Sequence, residues 1–214
     1  MARYDTDEEQ IDAVKAWLKE NGRSLVAGAV LAVGGVVGWQ QWGAHQERTA
    51  ESASVAYVQL LNARETGETS DMVAELGWTV MEDYGRTIYA TMAGMQLADF
   101  HVRQGDLAEA AEALRWVRDN GAESGLRHLA RLRLAQVLMA AGDYDEALAT
   151  VDVSDMGQYR SQYLERRGDV LAALGEIDDA RSAYEEALDV EDISDTRRSL
   201  IRLKRNDLAG EAST

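Results

Sequence analysis

The sequence predicts an all-α protein, in which one membrane-spanning helix precedes a stack of helical hairpins. Three observations indicate this fold. Residues 24–44 carry no formal charge, the 214-residue chain contains no proline and no cysteine, and a short turn motif recurs three times in its second half. Strong helix formers such as Ala, Leu, Glu and Arg dominate the composition. We therefore expect helices throughout and no disulfide framework.

Residues 24–44, SLVAGAVLAVGGVVGWQQWGA, predict the transmembrane helix. At ~1.5 Å per residue a helix of this length extends about 31 Å, close to the ~30 Å hydrocarbon core of a bilayer. A buried helix of a soluble protein would keep a polar face, whereas the polar side chains here, Ser24, Gln40 and Gln41, lie at the two ends. The residues before and after this helix should then occupy opposite sides of a membrane.

The basic residues that flank the span predict its orientation. Four basic residues precede it, whereas only two follow within twenty residues: Arg3, Lys15, Lys19 and Arg23 against Arg48 and Arg64. The positive-inside rule then places the amino end in the cytoplasm. No clear A-x-A cleavage site follows the apolar run, which favours an uncleaved signal anchor. In a bacterial-type cell this predicts a single-pass inner-membrane protein with a periplasmic domain at residues 45–214.

Two further features belong to the amino-terminal part. Residues 1–23 predict a cytoplasmic amphipathic helix that lies on the membrane surface, lies against a membrane-embedded partner, or simply leads into the span. Within the span, Gly34 and Gly38 form a G-x-x-x-G pair, a spacing that lets a second helix approach closely in lipid. We therefore take Gly34 and Gly38 as a candidate helix-packing site.

The charge and the residue inventory exclude several classes of function. The formal net charge of −16 disfavours nucleic acid, because binding to phosphates depends on Lys and Arg. His45, His101 and His128 are scattered and form no spacing typical of a metal site or a catalytic triad. Phosphate-binding and dinucleotide-binding glycine motifs are also absent from the sequence. We expect no catalytic residues, no metal and no cofactor.

A helix-turn-helix motif recurs at intervals of 37 and 33 residues, with GDLAEA at 105–110, GDYDEA at 142–147 and GEIDDA at 175–180. Each glycine suits the left-handed residue that ends a helix. Asp106 and Asp143 should cap the next helix, with Glu109 and Glu146 completing a capping box, whereas Glu176 is a poorer cap. Small residues fall where paired helices would cross: Ala98 with Ala110, Ala135 with Ala147, and Gly168 with Ala180.

At these positions the sequence resembles the tetratricopeptide repeat. The third copy matches most closely, with Leu164, Gly168, Leu171, Gly175, Ala180, Tyr184 and Ala187 at the family's spacings. The first copy departs from the pattern at His101, and none has the terminating proline. The resemblance implies a right-handed α-solenoid of helical hairpins. Residues 46–84 would form a divergent first unit and residues 194–208 a closing helix.

Tetratricopeptide arrays bind peptides or partner helices in a groove lined by the first helix of each unit. The corresponding candidate positions here are Asp99, Val102, Arg103, Gln136, Met139 and Asp169. This set departs from the Lys, Arg and Asn clamp that holds a peptide carboxylate in one subset of the family. We expect an acidic groove with apolar floor residues, suited to apolar or basic segments.

The arrangement as a whole resembles the YfgM family, the ancillary subunits of the SecYEG translocon. The resemblance includes YDTDEEQ at 4–10, WLKENG at 17–22 and LKRNDL at 203–208. It implies association with SecYEG, with the periplasmic chaperone PpiD and with exported polypeptides that are handed to periplasmic folding factors. It also implies an alternative, a regulatory adaptor that sequesters an envelope-stress response regulator. An enzyme acting through His101 is the third hypothesis.

Overall fold

The computed structural model describes residues 5–191 and 193–211. All regular elements in these ranges are helical, which confirms the predicted fold class. The helices are α1 (Asp5–Thr66), α2 (Ser70–Asp83), α3 (Ile88–Gln104), α4 (Leu107–Asn120), α5 (Ser124–Ala141), α6 (Tyr144–Val151), α7 (Arg160–Leu174), α8 (Ile177–Leu188) and α9 (Asp195–Glu211), with a short 3₁₀ turn at Gly157–Tyr159 before α7.

The chain divides into two compact units, Met1–Thr49 and Ala50–Thr214, and α1 contributes residues to both. In the first unit α1 is long and apolar enough to cross a membrane, and its apolar window has no buried residues. Leu31 and Trp39 are 76% and 72% exposed, values typical of side chains that face lipid rather than a protein core. The predicted boundaries at residues 23/24 and 44/45 both lie inside this continuous helix.

The repeated turns of the second unit share one hydrogen-bonding geometry. Gly105, Gly142 and Gly175 adopt φ of 88°, 88° and 81°, in the left-handed region that glycine favours. After α3, the Gly105 N–H donates to the Val102 carbonyl at 3.2 Å, and the Asp106 N–H donates to the His101 carbonyl at 2.9 Å. The turns after α5 and α7 repeat both bonds. This Schellman motif confirms that the glycines end the first helix of each hairpin.

The predicted capping boxes are wrong. Asp106 and Asp143 occupy the N-cap positions of α4 and α6, but neither side chain accepts a cap hydrogen bond. The two-residue Schellman turn sets their ψ at 69° and 60°, whereas a capping side chain needs a more extended backbone. Thr69 and Thr87, with ψ of 151° and 156°, do accept from the N–H groups of α2 and α3.

The small residues lie buried where the paired helices cross. Ala98 and Ala110 are 4% and 0% exposed, and Ala135 and Ala147 are fully buried. The sequence pattern pairs Gly168 with Ala180, but the atoms nearest to a Cβ built on Gly168 belong to the Tyr184 ring, at 2.6 Å. A side chain at position 168 would therefore collide with that ring.

The helices of the second unit form two layers. The inner helices, α3, α5 and α7, contact one another in sequence, and each pairs with the outer helix that follows it, α4, α6 or α8. One apolar cluster runs from Tyr57 to Val170 and a second joins α7, α8 and α9. Helix α9 packs against α8 through buried Ile201 and Leu208, as predicted for a closing helix, while Leu200 and Leu203 are exposed.

Candidate functional site

A cavity of about 470 Å³ lies between inner helices α3 and α5. Apolar side chains of α3, α4 and α5 form much of its lining, including Ala98, Leu114 and Val137. Polar side chains complete it: Gln96 and Asp99 from α3, and Arg133 and Gln136 from α5. An apolar floor with polar groups beside it can hold an apolar side chain and hydrogen-bond a peptide backbone.

A second cavity of about 240 Å³ adjoins the first, between α5 and α7. Arg133 and Gln136 line both cavities, so a ligand that fills the two must pass over these side chains. Glu165 and Arg166 of α7 and Arg197 of α9 lie on the far side of the second cavity. We call the lining of the two cavities, with the charged groups bonded to it, the inner surface.

The candidate groove residues divide between this surface and the apolar core beside it. Asp99, Val102 and Gln136 line the first cavity, and Val102 is 43% exposed. Arg103 lies beside them and donates to Asp99 at 3.1 Å. Met139 packs partly buried against the apolar core. Contact of these residues with a partner stays a prediction.

Asp99 is already neutralised within the protein. The Arg64 guanidinium donates to its carboxylate at 2.9 Å and also bonds Gln96, and Arg103 provides a second cation. Arg64 lies on α1, outside the repeats that the sequence reveals, and its side chain is only 16% exposed. The sequence did not predict Arg64 as a site residue, because Arg64 precedes the recognisable repeats and lies 35 residues before Asp99.

Asp169 belongs to a charge network that holds α9 against α7. Lys204 of α9 bonds Asp169 at 2.8 Å and Glu165 at 2.7 Å, and Arg197 bonds Glu165 at 2.6 Å. Arg166 adds a bond to Asp169 at 2.8 Å. Glu165 and Asp169 are only 7% and 11% exposed in their side chains, so each of these buried carboxylates is matched by cations.

Tyr184 joins the same network from the outer layer. Its hydroxyl donates to Asp169 at 2.9 Å, while its ring fills the space left by Gly168. Burial raises the pKa of the Tyr184 phenol above its usual value, and the negative charge of Asp169 raises it further. The phenol therefore remains a neutral hydrogen-bond donor.

The predicted acidic groove is wrong, because charge is sorted between the two layers. Inner helices α3, α5 and α7 contain seven Arg and three acidic residues. Outer helices α4, α6 and α8 contain three Arg and nine acidic residues. The outer helices therefore carry an excess of negative charge, whereas the inner helices carry an excess of positive charge. Counting the residues that line or bond the inner surface gives six basic against three acidic: Arg64, Arg103, Arg133, Arg166, Arg197 and Lys204 against Asp99, Glu165 and Asp169.

The histidines of the repeat unit make structural contacts. His101 is 5% exposed, and its Nδ1 lies 3.6 Å from the Asp106 carboxylate. His128 Nδ1 lies 2.9 Å from the Tyr163 hydroxyl, and its ring stacks on Tyr159 with centroids 5.0 Å apart. Across the part of the chain that the structure describes, His, Asp and Glu form no group of three that could hold a metal ion.

The span residues Gly34 and Gly38 lie in the first unit. A Cβ built on either residue meets no atom within 4 Å, so their backbone is open to close approach by another helix. Packing at these glycines stays a prediction.

Comparison with known proteins gives the same architecture along nearly the whole chain. A family described as "Tetratricopeptide repeat-like domain" matches residues 15–210. A protein of Escherichia coli is 29% identical over 98% of this chain, and one of Haemophilus influenzae is 27% identical over 97%. A protein of Neisseria gonorrhoeae is 29% identical over 97% of the chain. In each case the relative is covered completely and is named "Ancillary SecYEG translocon subunit".

Proposed function

The chain belongs to the tetratricopeptide repeat-like domain family, and from this membership we propose that it is a non-catalytic, membrane-anchored scaffold of the SecYEG translocon. The observation that carries the proposal is the likeness to ancillary SecYEG translocon subunits, which extends over 97–98% of the chain. Such a likeness takes in the apolar span as well as the repeats. Anchor and repeat domain would therefore act as one functional unit.

The anchor would place the repeat domain in the periplasm. The excess of basic residues before the span favours a cytoplasmic amino end, and the apolar side chains of the first unit are exposed as lipid contact requires. Gly34 and Gly38 would pack against a helix of the translocon. The protein is then a single-pass component of the bacterial inner membrane.

The repeat domain would bind polypeptides as they emerge and pass them to periplasmic chaperones such as PpiD. Two adjoining cavities with apolar floors and amide side chains support this role, because they can hold apolar side chains and hydrogen-bond an extended peptide backbone. In this role Asp99, Val102, Arg103, Gln136, Met139 and Asp169 act at or beside the groove. Binding rather than bond chemistry is the proposed activity.

Copurification with SecYEG tests the proposal. The full chain is compared with a variant carrying Gly34→Leu and Gly38→Leu, and with a matched control carrying Val33→Leu and Val37→Leu. We expect the glycine variant to lose most of the copurifying SecYEG while the control retains it. Equal SecYEG recovery from all three would contradict docking through the span. Loss of stress-pathway control after deletion of residues 1–23, with SecYEG recovery unchanged, would instead favour the regulatory adaptor.

A further inference from the structure

We propose that the inner surface binds acidic segments that also carry apolar side chains, with Arg133 as the central contact. The inference rests on the proposed scaffold role and adds the chemistry of the partner. It reverses the charge preference that the overall composition suggests, since the formal net charge is −16 while the inner surface has an excess of basic residues.

The acidic groups of the inner surface are not free to attract a basic segment. Asp99 is bonded by Arg64 and Arg103, and Glu165 by Arg197 and Lys204. A Lys or Arg of a ligand would have to displace one of these cations or add to an already cationic surface. The inner surface therefore disfavours basic segments.

Arg133 provides the free positive charge. Its side chain is exposed, and none of the ion pairs within 4.0 Å in the described ranges involves it. It lies between the two cavities and shares that position with Gln136, one helical turn further along α5. An incoming carboxylate can therefore bond the guanidinium while the amide of Gln136 bonds the adjacent peptide group.

The floor of the first cavity adds an apolar requirement. Ala98, Leu114 and Val137 line it, and exposed Val102 stands at its edge. An apolar side chain next to the carboxylate would fill this space, which an all-polar acidic segment would leave hydrated. The recognised sequence should therefore alternate acidic and apolar residues.

The outer helices reinforce the selectivity. Their six excess negative charges repel an acidic segment from the opposite face, so productive encounters concentrate on the inner surface. Binding should weaken as salt is raised, because the contacting groups are solvent-exposed.

Fluorescence anisotropy with synthetic peptides tests the inference. The full chain is placed in nanodiscs of phosphatidylcholine, a lipid without net charge, and titrated against four peptides of equal length. Their repeating units are Glu-Leu, Lys-Leu, Gln-Leu and Glu-Ser, and all are amidated and carry an uncharged fluorophore, so no terminal carboxylate contributes. We expect Glu-Leu to bind most tightly and Lys-Leu least.

Charge substitutions locate the contact. Arg133→Glu should weaken Glu-Leu binding about tenfold, and Arg133→Gln about fivefold, at low salt. The matched control Arg181→Glu removes a half-exposed Arg of outer helix α8 and should change binding less than about twofold. Unchanged thermal unfolding of the three variants shows that each remains folded.

Several results would overturn the inference. These are tighter binding of Lys-Leu than of Glu-Leu, equal losses from Arg133→Glu and Arg181→Glu, or self-association of the full chain that Arg133→Glu abolishes without any peptide selectivity. The last result would identify the acidic outer helices of a second copy as the occupant. Because the assay contains no SecYEG, these failures are distinct from failure of the copurification test.

Discussion

The inner and outer helices of the repeat unit pack together through the same kinds of apolar side chain but carry opposite charge. Both layers pack Ala, Leu and Val against each other, and the hairpins α3–α4, α5–α6 and α7–α8 turn through the same Schellman geometry. The difference lies only at positions that the core leaves free, where Arg dominates the inner helices and Asp and Glu the outer ones. Packing thus specifies the scaffold, and the remaining surface positions set which ligand it accepts.

The contact between the two layers leaves no room for a side chain at Gly168. Replacing it with Leu should cost about 3 kcal/mol or more, because the new side chain would occupy the volume of the Tyr184 ring and displace its bond to Asp169. Urea unfolding of the full chain measures the loss. Gly125→Ala is the control, since its added methyl meets only the Tyr159 hydroxyl, at 3.0 Å. Similar losses for the two variants would contradict this packing.

Ion pairs should contribute more to the stability of the inner layer than to that of the outer layer. Glu165→Ala leaves Arg197 without its carboxylate and Lys204 with Asp169 alone, and should cost about 2 kcal/mol after allowance for the partial exposure of both cations. Hydrogen exchange should quicken in α9. Glu186→Ala removes an exposed acid of outer helix α8 and should change stability by less than about 0.5 kcal/mol. Unchanged exchange in α9 after Glu165→Ala would rule out the network as its anchor.

Substitutions in the turns that join inner to outer helices should lower the stability of the protein by a smaller amount, equal at all three turns. Gly105→Ala, Gly142→Ala and Gly175→Ala each force a side chain into the left-handed region, at about 1 kcal/mol apiece. Nothing lies within 4 Å of the added methyl at these positions, so the backbone conformation alone sets the cost. Thermal unfolding of the three variants should show equal shifts. A markedly larger loss at one turn would indicate a contact specific to that hairpin.

The smallest expected difference separates two kinds of helix start. Thr87→Ala should cost about 1 kcal/mol, because the Thr87 hydroxyl accepts from the Ala90 N–H at 3.3 Å. Asp143→Ala should cost less than about 0.5 kcal/mol, because its carboxylate caps nothing. Chemical denaturation of the two variants measures both losses of stability. A loss of stability from Asp143→Ala equal to that from Thr87→Ala would show that Asp143 does cap α6, as the sequence predicts.

Most of the fold follows from local sequence signals. Glycine at a helix end and small residues at a fixed spacing report backbone conformation and close packing, which few other residues allow, so Gly105, Gly142 and Gly175 could be placed directly. The lack of a capping bond at Asp106 could not be predicted in this way, because Asp is a good N-cap only when its backbone is extended. That ψ angle is set by the Schellman turn rather than by the aspartate.

The site was less predictable because several of its ion pairs join residues that are far apart in sequence. Asp99 and Asp169 indicate an acidic groove when they are considered alone, but their partners Arg64 and Lys204 lie 35 residues away in the sequence, on α1 and α9. The sorting of charge by layer was present in the sequence. Counting charges separately over the first and second helices of each predicted hairpin would have revealed it.

In-cell photocrosslinking tests the central claim most directly. A photoreactive residue is placed at Gln136, which lines both inner cavities, or at Glu186 on the outer layer, and the crosslinked peptides are identified by mass spectrometry. We expect position 136 to capture exported polypeptides through segments that combine acidic and apolar residues, and position 186 to capture few. Capture of mainly basic segments at 136, or equal yields from both positions, would contradict the account.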